Sequence, residues 1–379
     1  MAAGSIVALV LAEIALRLFL PTPTHYMVHT PNTQAVFEHM DEWGIQGPSL
    51  YRINSMGVRG REWSADRSSE IRVLAVGGST TECVPIDQSR LWTTLLEEKL
   101  SPAAGGRRVW VGNIGKSGLN SRHHVIQMEH LLPVYDPDIV VMLVGVNDLS
   151  VRLMRGDAYD PRFLEDPENL RRLREQAFAV YPDESPRFYA SDPWLKRTRL
   201  WRLVRAFKYQ ILHRPLRQDS RGETLRQWRA LRASGGRSDD LPPLDEALDE
   251  YERNLSAIVD AIRRHGAVPV MLTQPVLWRP DLTEREEALL WLGGVGAFQE
   301  TPGSLYYTPA ALSRGMEAYN QRLLSVCREL DAVCVDLALV IPPTTEYFYD
   351  DCHFTDAAQG LVADSVAGEI IAEGERTGF

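Results

Sequence analysis

The stretch that decides the fold is Ile71 to Thr81, IRVLAVGGSTT. Its first six residues form a short, mainly apolar run, which predicts a strand that is buried on both faces. Gly77 and Gly78 end this strand, and a helical pattern follows over about Ser89–Leu100. A strand, a glycine turn and a helix place Ser79 at the carboxyl edge of a sheet, where open α/β folds bind ligands. Taken alone, the same residues predict a simple tight turn equally well.

Alternating strand and helix patterns continue on both sides of a long interruption. The predicted strands are 71–76, 108–113, 138–144, 268–273 and 332–337. The predicted helices are 89–100, 121–132, 245–264, 312–330 and 357–373. Apolar, β-branched strands that alternate with helices predict right-handed crossovers and a parallel sheet. The sequence therefore predicts an α/β fold with five parallel strands.

The rest of the chain divides into segments around this core. We predict an N-terminal hydrophobic helix (1–24), an irregular or β-containing arm (25–67), the main α/β domain (68–149 and 245–379) and a helical insertion (150–244). Arg59 in the arm is a candidate to reach into the main domain, although a wrap over the surface is the favoured prediction.

Residues 5–20, SIVALVLAEIALRLFL, are the most apolar part of the chain, and with Ala2 and Ala3 before them they give a helix about long enough to reach across a bilayer. Glu13 and Arg17 stand four apart, where they can pair. No basic residue precedes the run and no A-x-A-like site follows it, so it is a poor cleavable signal peptide. We expect an uncleaved or interfacial anchor on a membrane-anchored, extracytoplasmic protein. The alternative is a helix packed on the protein's own body.

Charge is unevenly distributed along the chain. The net charge is -10, which argues against a protein whose main partner is nucleic acid. Residues 152–237 nevertheless hold 18 Arg and 2 Lys against 11 acidic residues, a local charge of +9. Within them, Trp194–Leu212 predicts a basic amphipathic helix that covers the crevice, lies on an anionic membrane or forms a solvated surface helix. The oligomeric state stays open.

The four cysteines allow several arrangements. Either Cys83 with Cys352 or Cys327 with Cys334 can form a disulfide, and four buried thiols are an equal alternative.

Four short segments meet at the same edge of the predicted sheet. They are GGST with Ser79, GKSG with Gly115 and Gly118, GVND with Asn147, and DDCHF with Asp350 and His353. A serine hydroxyl becomes a nucleophile when an imidazole takes its proton, and a carboxylate orients that imidazole. The candidate catalytic residues are therefore Ser79, His353 and Asp350. The N–H groups of Ser79 and Gly118 and the amide of Asn147 are candidate donors to an oxyanion.

The order GGST, N-x-G-x-x-G, G-x-N-D and D-x-x-H resembles the SGNH hydrolases, the GDSL-type esterase and lipase superfamily. The match runs to Ser79, Gly118, Asn147, and His353 with Asp350. It covers about residues 71–149 and 245–379. The resemblance implies a three-layer α/β/α sandwich with a flavodoxin-like parallel sheet.

Two further details bear on this resemblance. The aspartate that usually precedes the serine is replaced by Gly78, which leaves the substrate class open. The segment RINSMGVRG resembles an arm before the catalytic domain of N-terminally anchored bacterial members.

Nucleotide and metal sites are weaker interpretations of these residues. GNIGKSG has the spacing G-x-x-G-x-x-G, which fits neither glycine-rich nucleotide pattern. Asp350, Asp351 and His353 lack a second pair of ligands at metal-binding spacing, and adjacent His123 and His124 point apart on a helix. We therefore expect no metal and no cofactor.

The expected function is that of a serine esterase that hydrolyses O-acyl esters, acetyl or short-chain, on carbohydrate through an acyl-enzyme on Ser79. The partner is then a small-molecule ester or an acylated glycan. Aromatic residues of 275–308 could stack on a sugar ring, although core packing explains most such residues: Trp278, Trp291, Tyr306 and Tyr307. The alternatives are an O-acyltransferase that modifies a cell-surface glycan and a catalytically dead, membrane-tethered glycan-binding module.

Overall fold

The computed structural model describes residues 2–19, 23–37, 44–180, 182, 198, 200 and 220–377. The strands are β1 (Gln34–Phe37), β2 (Ser49–Arg52), β3 (Glu70–Gly77), β4 (Arg108–Asn113), β5 (Ile139–Leu143), β6 (Gly236–Ser238), β7 (Val268–Leu272), β8 (Leu305–Tyr307) and β9 (Val333–Val335). The helices are α1 (Ala2–Phe19), α2 (Ser79–Glu82), α3 (Trp92–Leu100), α4 (Ser121–Tyr135), α5 (Val146–Arg155), α6 (Pro167–Ala177), α7 (Ser220–Ser234), α8 (Asp245–His265), α9 (Glu284–Glu287), α10 (Pro309–Leu330), α11 (Leu337–Val340) and α12 (Asp356–Thr377).

Five of these strands form one parallel sheet in the order β4-β3-β5-β7-β9. This is the doubly wound, flavodoxin-like order, in which the chain changes direction across the sheet between β3 and β5. Every residue of β5 is buried because helices cover both faces. The predicted five-stranded parallel sheet is confirmed, and the strand ends differ from the predicted ones by at most two residues.

The helices complete a three-layer α/β/α sandwich. Helix α3 packs against α12, while α8 contacts both α4 and α10. Helix α8 shows why the pattern was informative: its buried residues recur at spacings of three and four, as in Tyr251, Leu255 and Ile258. The predicted fold class is confirmed.

The arm is tied to the main domain more firmly than expected. Strands β1 and β2 form an antiparallel pair, and the Arg59 side chain is fully buried. Its guanidinium donates hydrogen bonds to the backbone oxygens of Glu82, Cys83 (2.8 Å) and Ile86 (2.5 Å). The favoured surface wrap is therefore wrong for Arg59, because a buried guanidinium needs acceptors and the turn after α2 supplies them.

Part of the insertion's positive charge is also buried. Strand β6 pairs in parallel with β8, and Arg232 on α7 is 1% exposed. Arg232 donates to the backbone oxygens of Leu292, in the loop between β7 and β8, and of Tyr307, at the end of β8, instead of facing solvent. The predicted basic helix 194–212 lies outside the described residues, apart from two isolated positions. The segment boundaries stay predictions.

Helix α1 exposes an apolar surface. Five of its side chains are between 48% and 73% exposed: Leu9, Val10, Leu11, Ile14 and Leu18. Within the described ranges, no helix combines the length and the hydropathy needed to cross a membrane. Membrane association through residues 5–20 stays a prediction.

The cysteines adopt one of the arrangements left open. Cys327 and Cys334 form a disulfide that joins the end of α10 to β9. Cys83 and Cys352 are buried thiols, and burial raises the pKa of Cys83 to about 12.

Candidate active site

Ser79 is the first residue of α2 and follows directly on the glycines that end β3. A Cβ atom at Gly77 would lie 2.2 Å from Thr81 Oγ1 and 2.5 Å from the backbone oxygen of Leu143. No side chain fits there, so glycine lets the strand turn sharply into the helix. The turn holds Ser79 at the carboxyl edge of the sheet, as predicted.

The structure supplies a physical reason for Gly78. A Cβ atom at this position would lie 2.5 Å from Asn147 Nδ2 and 3.2 Å from the backbone oxygen of Leu119. An aspartate here, the residue that the resemblance leads one to expect, would push Asn147 out of place. The absence of a side chain at Gly78 therefore leaves room for the Asn147 amide.

A chain of hydrogen bonds joins Ser79, His353 and Asp350. Ser79 Oγ lies 2.7 Å from His353 Nε2. His353 Nδ1 lies 2.9 Å from Asp350 Oδ1 and 2.8 Å from Asp350 Oδ2. The sheet edge and the loop before α12 therefore bring together three residues that stand up to 274 positions apart in the sequence.

The Asp350 carboxylate is buried but well supplied with donors. Burial opposes its ionisation, but the charge of His353 and hydrogen bonds from His353 and Trp291 hold the pKa of Asp350 below its usual range. Its Oδ1 accepts the backbone N–H groups of Cys352 and His353, at 3.1 and 2.9 Å. An ionised carboxylate thus faces His353 Nδ1, and His353 Nε2 is turned toward the serine.

The candidate oxyanion donors lie around the same turn. Asn147 Nδ2 donates to the backbone oxygen of Leu119 at 2.7 Å. An amide nitrogen carries two hydrogens, so one remains for a ligand. Gly118 is exposed and has a φ of +82°, a conformation that favours glycine, and no atom lies within 4 Å of the position a Cβ would take. Its neighbour Leu119 reaches Gly78, which brings this turn next to Ser79.

A buried carboxylate supports the segment that carries Asn147. Asp148 accepts hydrogen bonds from the backbone N–H of Ser121 at 3.1 Å and from its hydroxyl at 2.5 Å. Burial raises the pKa of Asp148 to about 7, even though the bonds from Ser121 favour ionisation. These contacts tie the start of α5 to the start of α4.

Two residues of the site escaped prediction in this role. Trp291 Nε1 donates to Asp350 Oδ2 at 3.0 Å. Asp351 Oδ1 accepts the Nε1–H of Trp278 at 2.8 Å, and its Oδ2 accepts the backbone N–H of Trp291 at 2.7 Å. Two adjacent aspartates close to the candidate histidine are a sequence signal that both carboxylates need buried hydrogen-bond donors, but which residues donate depends on the path of a loop.

The aromatic residues of 275–308 mostly pack inside the protein. The exposed fraction is at most 9% for each of Trp278, Trp291, Tyr306 and Tyr307. Core packing therefore explains these residues, as the competing interpretation held. The half-buried rings beside the site are instead Tyr349, which lies 5.6 Å from His353 and nearly parallel to it, and Trp228, which stacks on Trp291 at 4.5 Å.

Potential metal ligands coincide with the hydrogen-bonded residues. Asp350, Cys352 and His353 offer ligand atoms that lie within 4.8 Å of one another. The same carboxylate and imidazole are already bonded to each other, and burial raises the pKa of the Cys352 thiol well above its usual range. A thiol that stays protonated is a poor metal ligand. This donor set fits a hydrogen-bonded acid–base pair better than it fits a metal.

Comparison with known proteins gives one sequence-level match. The model of the GDSL-like lipase/acylhydrolase family matches residues 75–361, a range that contains every candidate residue from Ser79 to His353. None of the proteins with curated descriptions matches the chain.

Several solved structures are similar to the chain at low sequence identity. The acetylxylan esterase Axe2 from Geobacillus stearothermophilus is 14% identical with a TM-score of 0.41, and the match covers 79% of this chain and 94% of Axe2. LAE5, an α/β hydrolase enzyme from the metagenome of Lake Arreo, Spain, is 15% identical with a TM-score of 0.40 over 79% and 94% of the two chains. A putative lipolytic protein of the G-D-S-L family from Desulfitobacterium hafniense is 10% identical with a TM-score of 0.39, over 79% and 98%.

Proposed function

Because the chain belongs to the GDSL-like lipase/acylhydrolase family and is an ester-hydrolysing serine hydrolase, we propose that Ser79 is the nucleophile that carries the acyl group during turnover. The observation that carries this proposal is the continuous hydrogen-bond chain from Ser79 Oγ through His353 to Asp350. The 2.7 Å distance from Ser79 Oγ to His353 Nε2 allows proton transfer without rearrangement of the side chains, and the Asp350 bond orients the imidazole for it.

In the proposed acylation step, Ser79 Oγ forms a bond to the ester carbonyl carbon. Its proton passes to His353 Nε2, 2.7 Å away. The electron pair of the carbonyl moves onto oxygen, and the resulting tetrahedral intermediate breaks the bond to the alcohol oxygen. That oxygen takes the proton from His353, and Asp350 stabilises the imidazolium in the interval. The alcohol leaves and an acyl-Ser79 ester remains.

Deacylation reverses these roles with water as the nucleophile. His353 Nε2 takes a proton from the water, whose oxygen adds to the acyl carbon. The second tetrahedral intermediate breaks its bond to Ser79 Oγ, which recovers the proton from His353. The products are the free acid and the unmodified serine.

We expect the Asn147→Ala variant to lose about 10²- to 10³-fold of kcat, because it removes one donor to the oxyanion of each tetrahedral intermediate. KM should change much less, since the ground-state carbonyl carries little charge. Steady-state kinetics with a nitrophenyl ester measure both values. A variant with wild-type kcat would remove Asn147 from the oxyanion site.

The proposed substrate is an acetyl or short-chain ester of a carbohydrate. Half-buried Tyr349 lies beside His353, and half-buried Trp228 stacks on Trp291, so both rings are candidates to stack on a sugar in the alcohol part of the ester. An apolar groove of about 350 Å³ is lined by Ile71, Val109 and Ile139, at the amino ends of strands β3, β4 and β5. That groove lies at the sheet edge opposite Ser79, so it does not serve an acyl chain bound there.

A substrate series tests this specificity. We expect kcat/KM for nitrophenyl acetate to exceed that for the decanoate by at least about tenfold, and acetylated oligosaccharides to release acetate. A preference for the long chain would contradict the short-acyl proposal. Acyl transfer to an added oligosaccharide faster than hydrolysis would identify a transferase instead. Failure of a fluorophosphonate to label Ser79 in the folded protein would indicate a binding module without activity.

A further inference from the structure

The adjacent carboxylates beside the catalytic histidine each receive one indole N–H. Trp291 donates to Asp350 Oδ2 at 3.0 Å, and Trp278 donates to Asp351 Oδ1 at 2.8 Å. Asp350, Asp351 and Trp278 are at most 3% exposed, and Trp291 is 9% exposed. Both hydrogen bonds are therefore shielded from water, where a bond to a charged group contributes most. One of them reaches the carboxylate that contacts His353, and the other does not.

The two oxygens of Asp350 are held by different donors. Oδ1 accepts the backbone N–H groups of Cys352 and His353, which belong to the same loop. Oδ2 accepts the indole N–H of Trp291, which arrives from a different part of the chain. His353 Nδ1 is almost equally distant from both oxygens, at 2.9 and 2.8 Å, so the imidazole does not select the rotation of the carboxylate. The loop's own N–H groups hold Oδ1, and the indole from outside the loop holds Oδ2.

The insertion holds Trp291 in place. Its ring stacks on Trp228 of α7 with centroids 4.5 Å apart and 30° between the planes. On the same helix, Arg229 donates to the backbone oxygens of Leu289 (3.0 Å), two residues before Trp291, and Tyr349 (2.8 Å), the residue before Asp350. Arg232 donates to the backbone oxygen of Leu292, the residue after Trp291. A packed helix thus clamps the segment that delivers the indole N–H.

We propose that Trp291 is a positioning residue for ester hydrolysis: its indole N–H orients the Asp350 carboxylate on His353, and α7 of the insertion keeps it there. This inference rests on the proposed function of Ser79, His353 and Asp350. It assigns the insertion a part in the reaction, because removal of the clamp frees the indole that holds Asp350 Oδ2. The near-parallel planes of Trp291 and His353, 7° apart, fit a carboxylate bridging the two rings.

The first test compares two matched variants. Trp291→Phe removes the N–H that reaches Asp350, whereas Trp278→Phe removes the equivalent N–H from the neighbouring Asp351. We expect kcat to fall about 10- to 100-fold in Trp291→Phe with KM changed by less than about threefold, and kcat to stay within about threefold of wild type in Trp278→Phe. Equal losses in both variants, or an unchanged kcat in Trp291→Phe, would overturn the proposal.

A second measurement does not depend on turnover or on the stability of a phenylalanine variant. Replacement of Trp291 by 3-benzothienylalanine keeps the ring and substitutes sulfur for the N–H, so the packing on Trp228 survives. We expect the far-downfield proton resonance of the Asp350–His353 hydrogen bond to move or broaden in this protein and to persist in Trp278→Phe. An unaltered resonance would refute the positioning role. The resonance reports the Asp350–His353 hydrogen bond and can be measured even if the protein has no esterase activity. It therefore separates failure of this inference from failure of the proposed function.

Discussion

The Ser79→Ala variant should lose about 10⁴- to 10⁶-fold of kcat for a short-chain nitrophenyl ester, because an acyl-enzyme cannot form without the hydroxyl. The fold should remain intact, since Ser79 is a half-buried first residue of a short helix and its hydroxyl contacts His353. The remaining rate should come from water attack on ester bound near the oxyanion donors. Fixed-time assays with at least micromolar enzyme measure the residual kcat, and the melting temperature shows whether the fold is intact.

A matched serine on the neighbouring turn serves as the control. Ser117 is exposed and its hydroxyl donates to Glu82 Oε2 at 2.6 Å, with no contact to His353. Ser117→Ala removes one hydrogen bond to Glu82 and no contact with His353, so we expect kcat to fall by less than about tenfold. A fluorophosphonate should label wild type and Ser117→Ala at Ser79 and leave Ser79→Ala unlabelled. Wild-type turnover by Ser79→Ala would rule out the serine mechanism.

The main elements of the fold follow from the sequence because the buried strands carry a strong local signal. Strand β4 begins and ends at the predicted residues, since RVWVGN is bounded by polar and glycine-containing turns. The four motif segments also assemble as predicted, because the carboxyl ends of parallel strands share one edge. The strand pattern and the parallel topology of the sheet together are enough to predict that Ser79 and His353 lie close together.

Contacts made by loops and by the arm do not follow in the same way. Trp291 reaches Asp350 from the loop between β7 and β8, which an arginine-bearing helix of the insertion contacts, and no periodic pattern encodes the path of that loop. Arg59 is buried for a similar reason: three of its acceptors are backbone oxygens, which have no signature in the sequence. Side chains that bind backbone atoms at long range are thus the part of the site that sequence reasoning misses.

Gly78 illustrates how a departure from a family pattern becomes interpretable once atoms are placed. From the sequence, the absence of an aspartate before Ser79 left the substrate class open. In the structure, the space that its Cβ would need is occupied by Asn147 Nδ2, 2.5 Å away. The glycine is therefore a steric partner of a proposed oxyanion donor.

The Asp350→Asn variant should lose about 10³- to 10⁴-fold of kcat while it retains most of its substrate affinity. An asparagine amide that donates to His353 Nδ1 leaves the imidazole proton on Nε2, the nitrogen that must accept the proton of Ser79. The nearly isosteric Asp351→Asn change is the control, because Asp351 is equally buried but its bonds are to Trp278, Trp291 and Leu292. Asp351→Asn should lose far less kcat than Asp350→Asn. Equal losses of kcat in the two variants would indicate a general effect of the buried acidic pair.

The same variant should alter the acid stability of the protein in a defined direction. The pKa of Asp350 lies below its ordinary value of 3.8 in the folded state, so the ionised carboxylate stabilises the fold above pH 3.8. That contribution disappears as the pH falls through the lower, folded-state value. In Asp350→Asn, the free energy of unfolding should therefore be lower at neutral pH and should fall less steeply below pH 4, as denaturant titrations at a series of pH values would measure. A variant whose acid profile is as steep as that of wild type would mean that other carboxylates, and not Asp350, control the loss of stability in acid.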